Sequence, residues 1–163
     1  MDPKNLREVL ESIKEGTLNV EEGMQRVREL GYKDLGYAKI DNAREARVGY
    51  PEVIYCEGKT TDQVEGIIRY MLSRGHNILA THAGKEAADR VRSIFPEAEY
   101  NTLARTITIR QKEVVLSETY IAIVTAGTSD LPVAEEAAET ASILGNRVEK
   151  IVDVGDGRHS QAL

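Results

Sequence analysis

Residues 121–155, IAIVTAGTSDLPVAEEAAETASILGNRVEKIVDVG, carry the reading that decides the fold. Ile121 to Thr125 is an unbroken apolar, β-branched run, the composition of a strand covered on both faces of a parallel sheet. Ala126-Gly-Thr-Ser-Asp-Leu-Pro132 turns that strand into a helix: Gly127 permits a tight turn and a close backbone approach to a ligand, and Pro132 fixes a first helical turn. Gly145 ends the helix, and Val148 to Val154 reads as the next strand. Strand, crossover helix and strand make one βαβ unit, so the fold class is α/β.

The same turn is the strongest candidate site. A helix N-terminus presents unsatisfied N–H groups and a partial positive charge, and the carboxyl end of a parallel strand is where ligands of open α/β sheets lie. Ser129 and Asp130 add polar atoms there, with Gly127 and Thr128 shaping the loop. The competing reading is local: Ser129 or Asp130 caps the helix, and Glu135 and Glu136 complement its dipole. The string is neither a Walker A loop nor a Gly-x-Gly-x-x-Gly fingerprint, so nucleotide binding does not follow from its glycine.

Working outward, residues 111–120, QKEVVLSETY, are polar at both ends and read as a linker. Before it, Pro51–Cys56 reads as a strand, Asp62–Arg74 as a helix stopped by Gly75, Ile78–Thr81 as a strand, Gly84–Phe95 as a helix ended by Pro96, and Glu99–Ile109 as a hairpin. The N-terminus opens with a helix through Leu6, Val9, Leu10 and Ile13, ending at Gly16. A second follows, with Asn19 and Glu22 as a capping box and Val20, Met24, Val27 and Leu30 as its apolar stripe. Between them and the first strand, residues 31–50 hold three glycines, many charges and one short helix over Asn42–Val48 capped by Asp41. The expected organisation is an N-terminal domain over 1–112, made of a helical hairpin and a small α/β unit, a linker over 113–118, and a second α/β domain over 119–163.

Composition bounds the partners. The chain has 163 residues, 41% of them hydrophobic, with 27 acidic against 21 basic residues and a net charge of -6. Its basic residues are scattered singly, which argues against nucleic acid or a membrane surface as the main partner and leaves small anionic ligands open. A single cysteine, Cys56, excludes an internal disulfide, and there is no Cys/His pattern for zinc. No apolar run approaches the ~20 residues of a membrane span, and a cytoplasmic location is expected.

The long string at 121–155, together with DLGYAKIDNAREARVGYPEVIYCEGKT at 34–60 and YNTLARTITI at 100–109, closely resembles the LarB family. These are the pyridinium-3,5-biscarboxylic acid mononucleotide synthases, relatives of the AIR carboxylases of purine synthesis. The resemblance implies an enzyme that carboxylates the pyridine ring of nicotinic acid adenine dinucleotide and hydrolyses its phosphoanhydride, releasing AMP on the way to the nickel-pincer nucleotide cofactor. Carbon dioxide or bicarbonate is then the co-substrate. No tightly held cofactor is required, although a magnesium ion is compatible with the chemistry, and the family's C-terminal domain builds homo-octamers.

By position, the resemblance puts Ser129 and Asp130 next to the substrate with Gly127 and Thr128, and Asp153 at the following strand end as a further candidate. From the first half it adds Arg44, Arg47, Glu57 and Lys59, cations among them serving phosphates. Each of these four also fits a solvated charged face. His82 stands where the family pattern has an arginine, which replaces a permanent charge with a titratable one. The resemblance assigns covalent addition to the ring to a cysteine beyond Leu163, and Cys56, behind a first-half strand, reads as a packing residue.

After Gly155 the sequence becomes DGRHSQAL and the resemblance stops, so a C-terminally truncated, inactive relative is expected. An incomplete AIR-carboxylase-like sheet of two parallel strands leaves Ile121, Ile123, Ile151 and Val154 poorly buried, making the chain aggregation-prone or partner-dependent. Two other functions fit the residues: an AIR carboxylase-related protein of purine synthesis, and a non-catalytic nucleotide-binding module.

Overall fold

The computed structural model of the chain describes residues 3–152 and 161–162, which divide between two compact units, Met1–Glu52 and Val53–Leu163.

In the first unit, helices α1 (Pro3–Lys14) and α2 (Val20–Gly31) form the expected hairpin. The capping box is present in both directions: Asn19 Oδ1 accepts from the Glu22 N–H at 2.8 Å and Glu22 Oε2 accepts from the Asn19 N–H at 3.1 Å. The stripe through Val20 and Met24 is not the packed face, since both are exposed and Gly23 is buried instead. The reason is close approach: a Cβ on Gly23 would lie 2.3 Å from Ile13 Cδ1. The absence of a side chain there lets α1 settle against α2. A two-strand ribbon, β1 (Lys33–Asp34) and β2 (Lys39–Ile40), and helix α3 (Arg44–Val48) complete this unit. Asp41 does not cap α3 in the usual way. Its Oδ1 accepts from the Ala43 N–H, and its Oδ2 pairs with Arg47 at 2.6 Å.

The second unit contains two sheets. The first has the order β3-β4-β6-β5, with β3 (Ile54–Tyr55) parallel to β4 (Ile78–Thr81), and β4, β6 (Thr106–Ile109) and β5 (Glu99–Asn101) antiparallel. Every residue of β4 and of β6 is buried. Helix α4 (Thr61–Ser73) adds Val64, Ile67, Ile68 and Met71 to that core, and α5 (Lys85–Ile94) adds Ala88 and Val91. Asn77 closes the far end. Its Oδ1 accepts from the Gln111 and Lys112 N–H groups at 2.8 Å, and its Nδ2 donates to the Lys112 carbonyl.

The second sheet confirms the βαβ reading. Strands β7 (Tyr120–Val124) and β8 (Arg147–Val152) are parallel in register Tyr120 with Arg147, and α6 (Leu131–Ile143) crosses between them. A short strand, β9 (Gln161–Ala162), unforeseen from its polar sequence, pairs antiparallel to β8. Gly145 stops α6 in a left-handed conformation (φ 88°). Its carbonyl accepts from Ser117 N–H at 2.8 Å, which fastens the irregular segment before β7 to the end of α6. Helix α6 packs on β7 and β8 and also on β4 and β6, so it serves both sheets. That double duty explains its composition: Ala134 and Ala138 are buried, and apolar residues are spread around the helix instead of forming one stripe. The expected exposure of β7 is present. Ile121 is 44% and Val124 56% exposed, and Ile123 and Ile151 are half-buried; Val154 lies outside the described residues.

Candidate functional site

Two groups of polar side chains in the second unit lie at strand ends. The first is the turn from β7 into α6. Thr128–Asp130 forms a single 3-10 turn that hands over to α6, with Pro132 in its opening turn. Neither Ser129 nor Asp130 caps the helix, because no side-chain cap bond is made at either the 3-10 turn or α6, and both residues are exposed. The purely local explanation of these two side chains therefore fails. Gly127 also departs from expectation: its backbone is extended (φ -148°), a region open to any residue, and a Cβ there would touch only Ser129 Oγ at 3.9 Å. Behind the turn, Thr125 is 9% exposed and its Oγ1 has no hydrogen-bond partner among the described residues. An orphaned buried hydroxyl at a ligand-type turn is a group that a ligand or water would satisfy.

Glu135 and Glu136 do not serve the helix dipole. Glu135 takes Lys150 Nζ at 2.6 Å and stands within 3.5 Å of Asn101 Nδ2, while Glu136 turns toward His82.

His82 belongs to the second group, at the end of β3 and β4. Its backbone is left-handed (φ 52°), as is that of Arg105 (φ 54°) just before β6. Such conformations are uncommon for residues with a Cβ and concentrate where a structure over-determines them. Here the constraint is visible. Ala83 N–H donates to the Arg105 carbonyl at 2.8 Å, Arg105 Nη2 donates to the His82 carbonyl at 3.4 Å, and Tyr100 hydroxyl donates to the Ala83 carbonyl at 3.1 Å. The His82 ring lies 4.8 Å from that of Tyr55, Nδ1 is 3.9 Å from Glu57 and Nε2 is 3.5 Å from Glu136. The Tyr55 hydroxyl donates to Glu57. That bond is the main reason the Glu57 carboxyl is held below its ordinary value; burial works against it, and the His82 and Arg105 charges help. The same bond pushes Tyr55 upward.

Of the residues singled out in the sequence, Glu57 joins this cluster. Lys59 sits on the turn after β3 but spends its ammonium on the Tyr55 carbonyl at 2.5 Å. Arg44 and Arg47 lie on α3 in the first unit. Arg47 is engaged by Asp41, where burial, the largest single influence, raises the carboxyl but is outweighed by the Arg47 bond, the Ala43 N–H and the charges of Arg47 and Arg44, which together hold it down. Asp153 lies outside the described residues. Cys56 is buried, and desolvation raises its thiol to about 11, the opposite of what a nucleophile needs. Tyr55, Arg105, Thr125 and Glu136 were not anticipated. Tyr55 and Thr125 share one usable signal, a hydroxyl at or just after the end of an apolar strand.

Among the described residues no His, Cys, Asp and Glu come together as a metal site, and no helix is long and apolar enough to cross a membrane.

Residues 32–112 match the family model described as the LarB/PurE-like N-terminal domain. The chain is also 31% identical over 159 residues to an uncharacterized protein of Methanocaldococcus jannaschii, an alignment covering 93% of this chain and 62% of the relative. The chain thus spans a little over three fifths of that relative's length. The domain match shows a LarB/PurE-like N-terminal domain over residues 32–112.

Proposed function

We propose that this chain carries the dinucleotide-recognition part of a LarB-type synthase, which carboxylates the pyridine ring of nicotinic acid adenine dinucleotide and hydrolyses its phosphoanhydride to release AMP. The observation that carries the reading is the β7–α6 turn. It combines uncapped, exposed Ser129 and Asp130 with the orphaned Thr125 hydroxyl behind them. The positive end of the α6 dipole suits a phosphate or the nicotinate carboxylate, and Asp130 and Ser129 suit ribose hydroxyls. Carbon dioxide or bicarbonate is the co-substrate, no resident cofactor is needed beyond an optional magnesium ion, the location is cytoplasmic, and the complete enzyme is a homo-oligomer. In this reading residues 1–112 and 119–163 remain separate functional regions.

Chemistry on the ring calls for a thiolate to add first and make the ring enamine-like. Cys56 does not fit that role, because it is buried and desolvation pushes its thiol up to about 11. The 163-residue chain is therefore expected to bind the dinucleotide without turning it over. Titration calorimetry should show binding that weakens about tenfold in Ser129→Ala and Asp130→Asn, the scale of one lost hydrogen bond to a charged group. Equal affinity in both variants sinks the site assignment. Release of AMP on adding bicarbonate sinks the claim of inactivity.

A further inference from the structure

His82 is the point where three elements converge on α6. The groups facing its ring are Tyr55 at the end of β3, Glu57 in the turn after it and Glu136 from α6, while Arg105, just before β6, reaches the His82 carbonyl. Carboxylates ordinarily titrate near 4, phenols near 10 and guanidinium above 12, so imidazole is the one group type here that changes charge between about pH 5 and 8. Glu57 and Tyr55 are displaced away from that window, downward and upward respectively. The imidazole thus has a carboxylate near each nitrogen, Glu57 from the turn after β3 at 3.9 Å and Glu136 from the helix that follows the Gly127–Asp130 turn at 3.5 Å. Glu136 lies six residues beyond Asp130, which is about 9 Å of helix rise.

We propose that His82 is a positioning residue for the Gly127–Asp130 turn. When protonated it bridges Glu57 and Glu136 and holds the first turns of α6 against the end of β4; when neutral it donates to one carboxylate at most and the link to α6 slackens. The turn is therefore held more firmly at low pH and less firmly as pH rises through the imidazole range. This inference rests on reading the turn as the ligand loop, and the test separates the two.

Amide exchange protection at Ala134–Ala138 is measured on the full chain from about pH 5.5 to 8, alongside affinity for nicotinic acid adenine dinucleotide. Wild-type protection should fall by about two- to fivefold over that range, the scale of a partly exposed ion pair. His82→Arg should stay high and flat, and His82→Gln should stay low and flat. Glu136→Gln, which keeps the imidazole, should also lose the slope, and it decides the matter if His82→Gln fails to fold. A wild-type slope surviving in His82→Gln or Glu136→Gln overturns the proposal. A slope that depends on His82 with no dinucleotide binding at any pH supports the positioning role and overturns the substrate reading. Binding that ignores pH equally in wild type and His82→Gln overturns the positioning role and leaves the substrate reading standing.

Discussion

The two sheets of the second unit are built from strands of nearly the same character and end in opposite environments. β4 and β6, Ile-Leu-Ala-Thr and Thr-Ile-Thr-Ile, are buried at every residue, while β7, Tyr-Ile-Ala-Ile-Val, is exposed at Tyr120, Ile121, Ala122 and Val124. Both sheets pack against α6, and β4 also packs against α4. Apolar, β-branched composition therefore specifies that a strand forms, but what lies on its second face is decided by elements elsewhere in the chain. A sheet face as apolar as that of β7 is a surface that favours association.

The largest expected contrast comes from truncating one isoleucine in each sheet. Ile107→Ala, at a fully buried position of β6, should cost about 2–5 kcal/mol in urea unfolding, against less than about 1 kcal/mol for Ile121→Ala. Equal losses would mean that β7 is covered in solution by something that removes it from water.

A smaller effect should come from the helix the two sheets share. Lys150→Met leaves the half-buried Glu135 carboxylate with only the long contact to Asn101 and should destabilise by about 1 kcal/mol, part of which Glu135→Gln in the same chain restores. The smallest concerns the strand-end cluster. Because the folded-state carboxyl of Glu57 is held below 4.5, its contribution to stability is present above that value and is lost as pH falls through the lowered one. Tyr55→Phe removes the main cause, so the drop in urea midpoint on acidification from about pH 6 to 3 should be shallower than in wild type. An unchanged acid limb would show that the Tyr55–Glu57 bond does not hold in solution.

Most of the second unit could be read from the sequence because its signals are local. The stop at Gly145, the hairpin over Glu99–Asn101 and Thr106–Ile109, and the entry into α6 through Pro132 depend on residues within a few positions of each other. Most failures were not local. The α1–α2 contact runs through Gly23, a residue that has no hydrophobic signal at all, and only the proximity of Ile13 gives it meaning. The one local signal missed is Thr60, which forms a full capping box with Gln63 at the start of α4. The strand β9 has a polar sequence and exists by pairing with β8. In the candidate site, the turn was visible as Gly-Thr-Ser-Asp, whereas the His82 cluster draws on four elements whose residues are up to 81 positions apart, and no spacing rule spans that.

Helix α6 can also be regarded as a spacer. With Ala134 and Ala138 buried, its small side chains set how closely two sheets are stacked. A methyl group is the thinnest side chain such a layer can have, so any larger residue at these positions acts as a shim. The displacement would be felt at once at the β7–α6 turn on one side and at the Glu57–His82–Glu136 cluster on the other, so the two groups of polar residues share a single mechanical tolerance.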